Sequence, residues 1–147
     1  MSELAKAFGT DSLQIVEGLI TREQAIIFSG ELLVQSGRAS ADYIFSMLKA
    51  VEDYGPYIVI APGIALAHGK PGNDVFETGL SLLLLREPVE FKHLQNDPVA
   101  LVFGLAAKDH DSHISLMASL AEFLSDEKNI ESLIGAPDLD AIRSCIS

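Results

Sequence analysis

The chain has 147 residues, 48% of them hydrophobic, and a formal net charge of -11. That length suits one domain, expected to span residues 1–147, with a core that needs no covalent staples. So acidic a surface repels nucleic-acid phosphates and anionic lipid, which excludes both as expected partners, and any anion bound here needs local positive help.

The opening "MSELAKAFG" lacks a basic segment followed by an apolar one, so no secretory leader is expected. "SLQIVEGL", residues 12–19, reads as a short strand. Thr21 followed three residues later by Gln24 is a capping-box pattern. It predicts a helix from there to about Gln35, with Gly37 placed to end it. Ser40 is the expected cap of a second helix, in which Ile44, Met47, Leu48 and Val51 recur at i, i+3, i+4 and i+7 and form a buried stripe. Gly55-Pro56 stops it. "YIVIA", residues 57–61, is β-branched and short and predicts a strand. Pro62-Gly63 then turns the chain into "IALA", a second short run ending on His68.

Pro71 to Asp74 read as a loop. "ETGLSLLLL" (residues 77–85) and "VALVFGLAA" (residues 99–107) are unbroken apolar runs of strand length, which suit strands covered on both faces. Both are far too short to span a bilayer as helices, so no membrane insertion is expected. In "KDHDSHISLMASLAEFLSD", Asp109, Asp111 and Ser112 are candidate caps. Ile114, Met117, Ala118, Ala121 and Leu124 make one apolar stripe of a helix, and Leu116, Leu120 and Phe123 a second, which predicts deep packing. Two short helices follow, one around residues 130–134 and one from Asp138, with Leu139, Ile142 and Ile146 on one face. The order predicts an α/β fold: one three-layer domain, a mixed sheet with helices on both faces. Sites in such sheets collect at strand ends beside helix N-termini, where His68 and His113 both fall.

"GIALAHGKP", residues 63–71, admits several chemistries. A phosphate-binding P-loop requires G-x-x-x-x-G-K-[ST]; here Gly63 and Gly69 enclose five residues and Pro71 stands where Ser or Thr would hold magnesium, which rules it out. A zinc site needs three or four ligands. His110 and His113 share a helical spacing and His68 could join them, but no metal motif is present and no metal is expected. No G-x-S-x-G elbow occurs. Cys145, the single cysteine, reads as a small apolar residue and with no disulfide framework favours a cytoplasmic setting.

The fourth chemistry is His68 as a nucleophile toward phosphorus. A neutral imidazole offers one lone pair without a separate base. The other ring nitrogen should then donate to a fixed acceptor, and positive or N–H-rich groups should meet the phosphoryl oxygens. Gly69 can expose backbone N–H, Lys70 supplies a cation, and His113 lies by a helix N-terminus. His93 reads as solvated and His110 as loop material. From these residues alone a strand-end His68 and a helix-cap His113 remain the plainer reading.

Three segments, "APGIALAHGKP", "ETGLSLLLL" and "DPVALVFGLAAKDHDSHISLMASLAEFLSD", together resemble the IIA domains of the bacterial sugar phosphotransferase system, mannitol/fructose type, and most closely their ascorbate-type branch. The resemblance runs from about Ser12 to the C-terminus. It implies a cytoplasmic phosphoryl carrier: His68 accepts a phosphoryl group from the phosphocarrier HPr and passes it to a IIB component, with the membrane component IIC involved only indirectly. It places the supporting histidine on His113, gives Gly69 and Lys70 as the expected phosphate-binding residues, and implies no metal or organic cofactor. A regulatory IIA-like module with the same nucleophile is the alternative, and a metal-dependent hydrolase on His68, His110 and His113 the remoter one. The sugar and a homodimer are left open. Two departures stand out. Ala67 occupies the position of the family's usual proline, and "MLKAVEDYG" lacks the arginine that mannitol-type members carry there.

Overall fold

The computed structural model describes residues 3–147. Met1 and Ser2, where the stretch read for a leader and the expected 1–147 domain both begin, lie outside the described residues. Among the described residues five strands form one sheet in the order β1-β4-β5-β3-β2: β1 (Phe8–Val16), β2 (Val59–Ala61), β3 (Ile64–His68), β4 (Gly79–Val89) and β5 (Val99–Ala106). β1 runs parallel to β4 and β3 parallel to β5, whereas β4–β5 and β2–β3 are antiparallel, so the sheet is mixed.

Two helices cover one face, α2 (Arg22–Gln35) and α3 (Asp42–Tyr54). The other carries α1 (Glu3–Ala7), α4 (His110–Leu124), α5 (Glu127–Ile134) and α6 (Leu139–Ile146). The alternation of side chains along a strand produces this division. On β4, Leu83 and Leu85 join Ile26, Leu33 and Met47 beneath α2 and α3. Leu80, Leu82 and Leu84 join Leu116, Leu120 and Ile142 on the opposite side. Burial of each such leucine contributes about 1.5–3 kcal/mol relative to exposure. This accounts for the unbroken apolar runs: both faces of β4 and β5 are covered.

Local signals place the helices to different degrees. The capping box at α2 forms, with Thr21 Oγ1 accepting from Gln24 N–H and Gln24 Oε1 accepting from Thr21 N–H. Gly37 ends the segment at φ 79°, a conformation that costs glycine little. The expected Ser40 cap does not form. Ala41 is the cap residue of α3, and the Ser40 hydroxyl donates instead to Asp74 Oδ1 at 3.3 Å. Its N–H also donates to the Asp74 carbonyl, so Ser40 ties down the loop after β3.

Other boundaries shift as well. β1 starts and stops earlier than expected, and α1 was not anticipated. Tyr57 and Ile58 belong to a 3₁₀ turn, Gly55–Ile58, leaving β2 with three residues. The largest correction concerns α4. Its buried residues are Leu116 and Leu120, while Ile114, Ala118 and Ala121 are exposed, so the second apolar stripe packs and of the first only the half-buried Met117 and Leu124 reach the core. His93 is also more than solvated: its Nδ1 accepts from the N–H groups of Gln95 and Asn96 in the β4–β5 loop.

Candidate active site

β3 delivers His68 to the edge of the core. Ile64 and Leu66 point into the layer beneath α4, and the strand's alternation puts the half-buried His68 on that same side. Its register partner on β5 is Leu105, two residues before the loop that leads into α4. α4 then begins at His110 and presents His113 in its first turns. The two imidazoles meet with ring centroids 5.4 Å apart, inclined at 60°. Residues 45 positions apart are thus joined because β3 and β5 are parallel neighbours and α4 starts where β5 ends.

The ring of His68 has a defined orientation. Its Nδ1 lies 3.1 Å from the Leu66 carbonyl oxygen. A carbonyl only accepts, so Nδ1 carries the proton and donates, and Nε2 holds the free lone pair. This meets the first requirement set for a nucleophilic histidine.

The His113 imidazole is held below its ordinary value, first by burial and then by the neighbouring His68 and His110. Its Nδ1 is buried and has no hydrogen-bond partner among the described residues. Because the folded state favours neutral His113, the unfolded chain binds that proton more readily, and stability falls as pH drops below the ordinary histidine value of about 6.5. The contribution is complete above that pH and is lost as pH falls through the lowered folded value. His113→Gln is expected to flatten this part of the stability profile in urea titrations between about pH 5 and about pH 8. An equally steep decline in the variant would remove His113 as its source.

One of the cap candidates in the sequence closes the N-terminus of α4. Asp109 is its cap, with Oδ1 accepting from Ser112 N–H at 2.8 Å, and this bond holds the Asp109 carboxyl below its usual range. His110 is the first residue of the helix rather than loop, and it is exposed.

The segment after His68 corrects one expectation. The Gly69 N–H is not free to receive an anion: it donates to Tyr43 Oη at 2.8 Å in a buried setting. Tyr43 Oη in turn donates to the Leu105 carbonyl at 2.7 Å. Burial pushes the phenol up to about 12, so it stays protonated at neutral pH. One turn along α3, Ser46 Oγ accepts from Lys70 N–H at 3.1 Å. Gly69 serves close approach instead, since a Cβ there would collide with Ser46 Oγ and lie 2.7 Å from Ser46 Cβ. Lys70 is exposed and lines the same groove as His68. Tyr43 and Ser46 escaped the sequence reading. The available signal was a tyrosine inside an apolar stripe, whose hydroxyl needs a partner once buried.

Beside His68 runs a groove of about 440 Å³, lined by Phe45, Ser46, Lys49, Tyr54, Tyr57, Lys70 and Asp74 among others. Phe45 and Tyr57 are 70% and 81% exposed, which makes this an apolar surface open to another molecule. Lys49, on the stretch without arginine, lines it and pairs with Asp53 at 3.5 Å.

Among the described residues no group of three or more His, Cys, Asp or Glu side chains is placed to hold a metal ion. Among the described residues no helix is long and apolar enough to cross a membrane.

Known proteins share this arrangement of strands and helices. The chain is 38% identical over 114 residues to the ascorbate-specific PTS system EIIA component of Escherichia coli (strain K12), covering 77% of this chain and 74% of that one. Its structure superposes on the solution structure of the mannitol-specific cryptic phosphotransferase enzyme IIA CmtB from Escherichia coli with a TM-score of 0.88, at 32% identity and over 99% of each chain. It also matches a complex of enzyme IIAMTL and phosphorylated enzyme IIBMTL from Escherichia coli, at a TM-score of 0.83 and 30% identity over 95% of this chain and 96% of that one. The model of the phosphoenolpyruvate-dependent sugar phosphotransferase system EIIA 2 family matches residues 8–147, and the chain belongs to that family.

Proposed function

We propose that this EIIA component carries the phosphoryl group on Nε2 of His68, taking it from phospho-HPr and passing it to a IIB component in the cytoplasm during uptake of a sugar, ascorbate or a related compound. The observation that carries this reading is the Nδ1–H···O=C bond from His68 to Leu66, which leaves Nε2 as the nucleophilic nitrogen. In the first transfer, the Nε2 lone pair forms a bond to phosphorus while the bond from phosphorus to the donor breaks and the donor keeps its electron pair. Nδ1 retains its proton, so the ring gains positive charge as the bond forms. The Leu66 carbonyl accepts from a ring that becomes more acidic, and its hydrogen bond strengthens during the reaction, a gain that stabilises the transition state more than the ground state.

The arriving phosphoryl group also changes His113. A dianion beside it opposes the effect of burial and favours imidazolium, which can then balance the charge. Lys70 adds a flexible point charge in place of a bidentate clamp. Lys70→Ala is expected to slow transfer at low salt and to do so less at higher salt, because the Debye length shrinks from about 30 Å at 0.01 M to about 8 Å at 0.15 M. Equal rates for variant and native protein at both salts would remove Lys70 from the site. Nothing in this scheme requires a metal or organic cofactor. HPr and IIB in turn use the apolar groove around Phe45, Tyr54 and Tyr57, in encounters brief enough to release the product.

The test is transfer itself. Incubation with phosphoenolpyruvate, enzyme I and HPr is expected to add one acid-labile phosphoryl group, seen by intact mass, which a cognate IIB then removes. A chain that stays unlabelled while HPr is phosphorylated overturns the reading.

A further inference from the structure

Ala67 stands where the family's usual proline would restrict the backbone before the reactive histidine. The segment is nonetheless held on both sides of His68. Ahead of it, Ala65, Leu66 and Ala67 are buried in β3 in register with Val102, Phe103 and Gly104 of β5. Behind it, two side chains of α3 take the next two backbone N–H groups: Tyr43 Oη that of Gly69 and Ser46 Oγ that of Lys70. Tyr43 does more than accept. The same hydroxyl donates to the carbonyl of Leu105, the residue opposite His68 on β5. One phenol thereby ties the residue after His68 to the strand beside His68, and it uses both its donor and an acceptor site in doing so.

We propose that Tyr43 and Ser46 are positioning residues for His68, which clamp the Gly69-Lys70 backbone to α3 and thereby hold the imidazole with Nδ1 on the Leu66 carbonyl and Nε2 outward. The inference rests on His68 being the phosphoryl acceptor. The physical link is the His68 backbone. The Nδ1–Leu66 bond spans only two residues and depends on the dihedral angles at His68, which the clamp fixes from the C-terminal side. Without it, the turn through Gly69 and Pro71 to Gly72 can swing, and the ring can exchange tautomers. A nucleophile of which only a fraction has the right nitrogen free reacts more slowly at unchanged partner affinity.

The experiment compares the full chain with Tyr43→Phe and Ser46→Ala. Long-range proton–nitrogen NMR of the His68 ring reads the tautomer, and transfer from phospho-HPr reads the rate. Native protein is expected to show a single Nδ1–H tautomer. Tyr43→Phe is expected to show mixed tautomers and a kcat lower by about tenfold, with KM within about twofold. Ser46→Ala, at a less buried position that does not touch Leu105, is expected to move both readouts the same way by a smaller amount, and it keeps the test open if Tyr43→Phe does not fold. A folded variant that keeps the single tautomer and the native kcat overturns the proposal. So does a loss confined to thermal stability. The two failures differ: if His68 is not the acceptor, His68→Ala is still phosphorylated, whereas Tyr43→Phe still mixes the ring tautomers.

Discussion

His68→Ala is expected to abolish phosphoryl labelling, with no residual acceptor at equilibrium. The effect is large because a covalent carrier cannot be replaced by its surroundings. Hydrogen-bond donors and cations left in the site still attract a phosphoryl group, but no lone pair remains to bond it. The candidate to inherit the role is His113, whose ring lies 5.4 Å away. Its Nδ1 is buried, and nothing in the described structure presents its ring to a partner as β3 presents His68. The substitution should leave the fold intact, because His68 is half-buried at a strand end and its side chain makes one local bond, to Leu66. Circular dichroism and a urea midpoint close to native would verify this. His113→Ala is the control: it should still be labelled, and should pass the group onward poorly. Labelling of His68→Ala to the native level would move the acceptor elsewhere and remove the mechanism drawn from the Leu66 carbonyl.

Gly69→Ala is expected to destabilise the chain by about 1–3 kcal/mol, in the range of overpacked interiors, and to slow transfer. The added methyl would collide with Ser46 Oγ and come within 2.7 Å of Ser46 Cβ and 3.1 Å of the Ser46 carbonyl carbon. The last of these is helix backbone, so relief requires α3 and the turn to separate. Separation breaks both clamp bonds at once, from Gly69 to Tyr43 and from Lys70 to Ser46. Urea denaturation reads the first consequence and the His68 transfer rate the second. Adding Ser46→Ala should recover part of the stability, because the hydroxyl oxygen is the nearest obstacle but Cβ and the backbone stay in place. A coupling between the two substitutions that is indistinguishable from zero would show that the contact is not the cause.

Much of this site was legible before any tertiary information. An apolar strand ending on His68 and His113 close to a helix start both appear where expected. Their legibility has a local cause, since strand alternation and capping chemistry depend on residues a few positions apart. The capping box at Thr21 and Gln24 formed for the same reason. The vacancy of the Gly69 N–H was misjudged because its partner, Tyr43, lies 26 residues away on another element. Ser40 failed as a cap for an equivalent reason: Asp74, brought alongside by the return of the chain, takes its hydroxyl.

α4 marks the boundary most clearly. Both of its apolar stripes satisfy helical periodicity, so the pattern establishes a helix and leaves its rotation undetermined. The docking against Leu82, Phe103 and Ile142 decides it, burying Leu116 and Leu120 and leaving Ile114 half exposed. The sequence by itself determined most of the elements, the doubly covered strands and the acidic surface, because each follows from short-range pattern or composition. The tertiary structure alone decided which nitrogen of His68 is free, which N–H groups are already taken, and which face of α4 is buried. Each of those depends on where distant backbone atoms come to rest, and no local spacing encodes that.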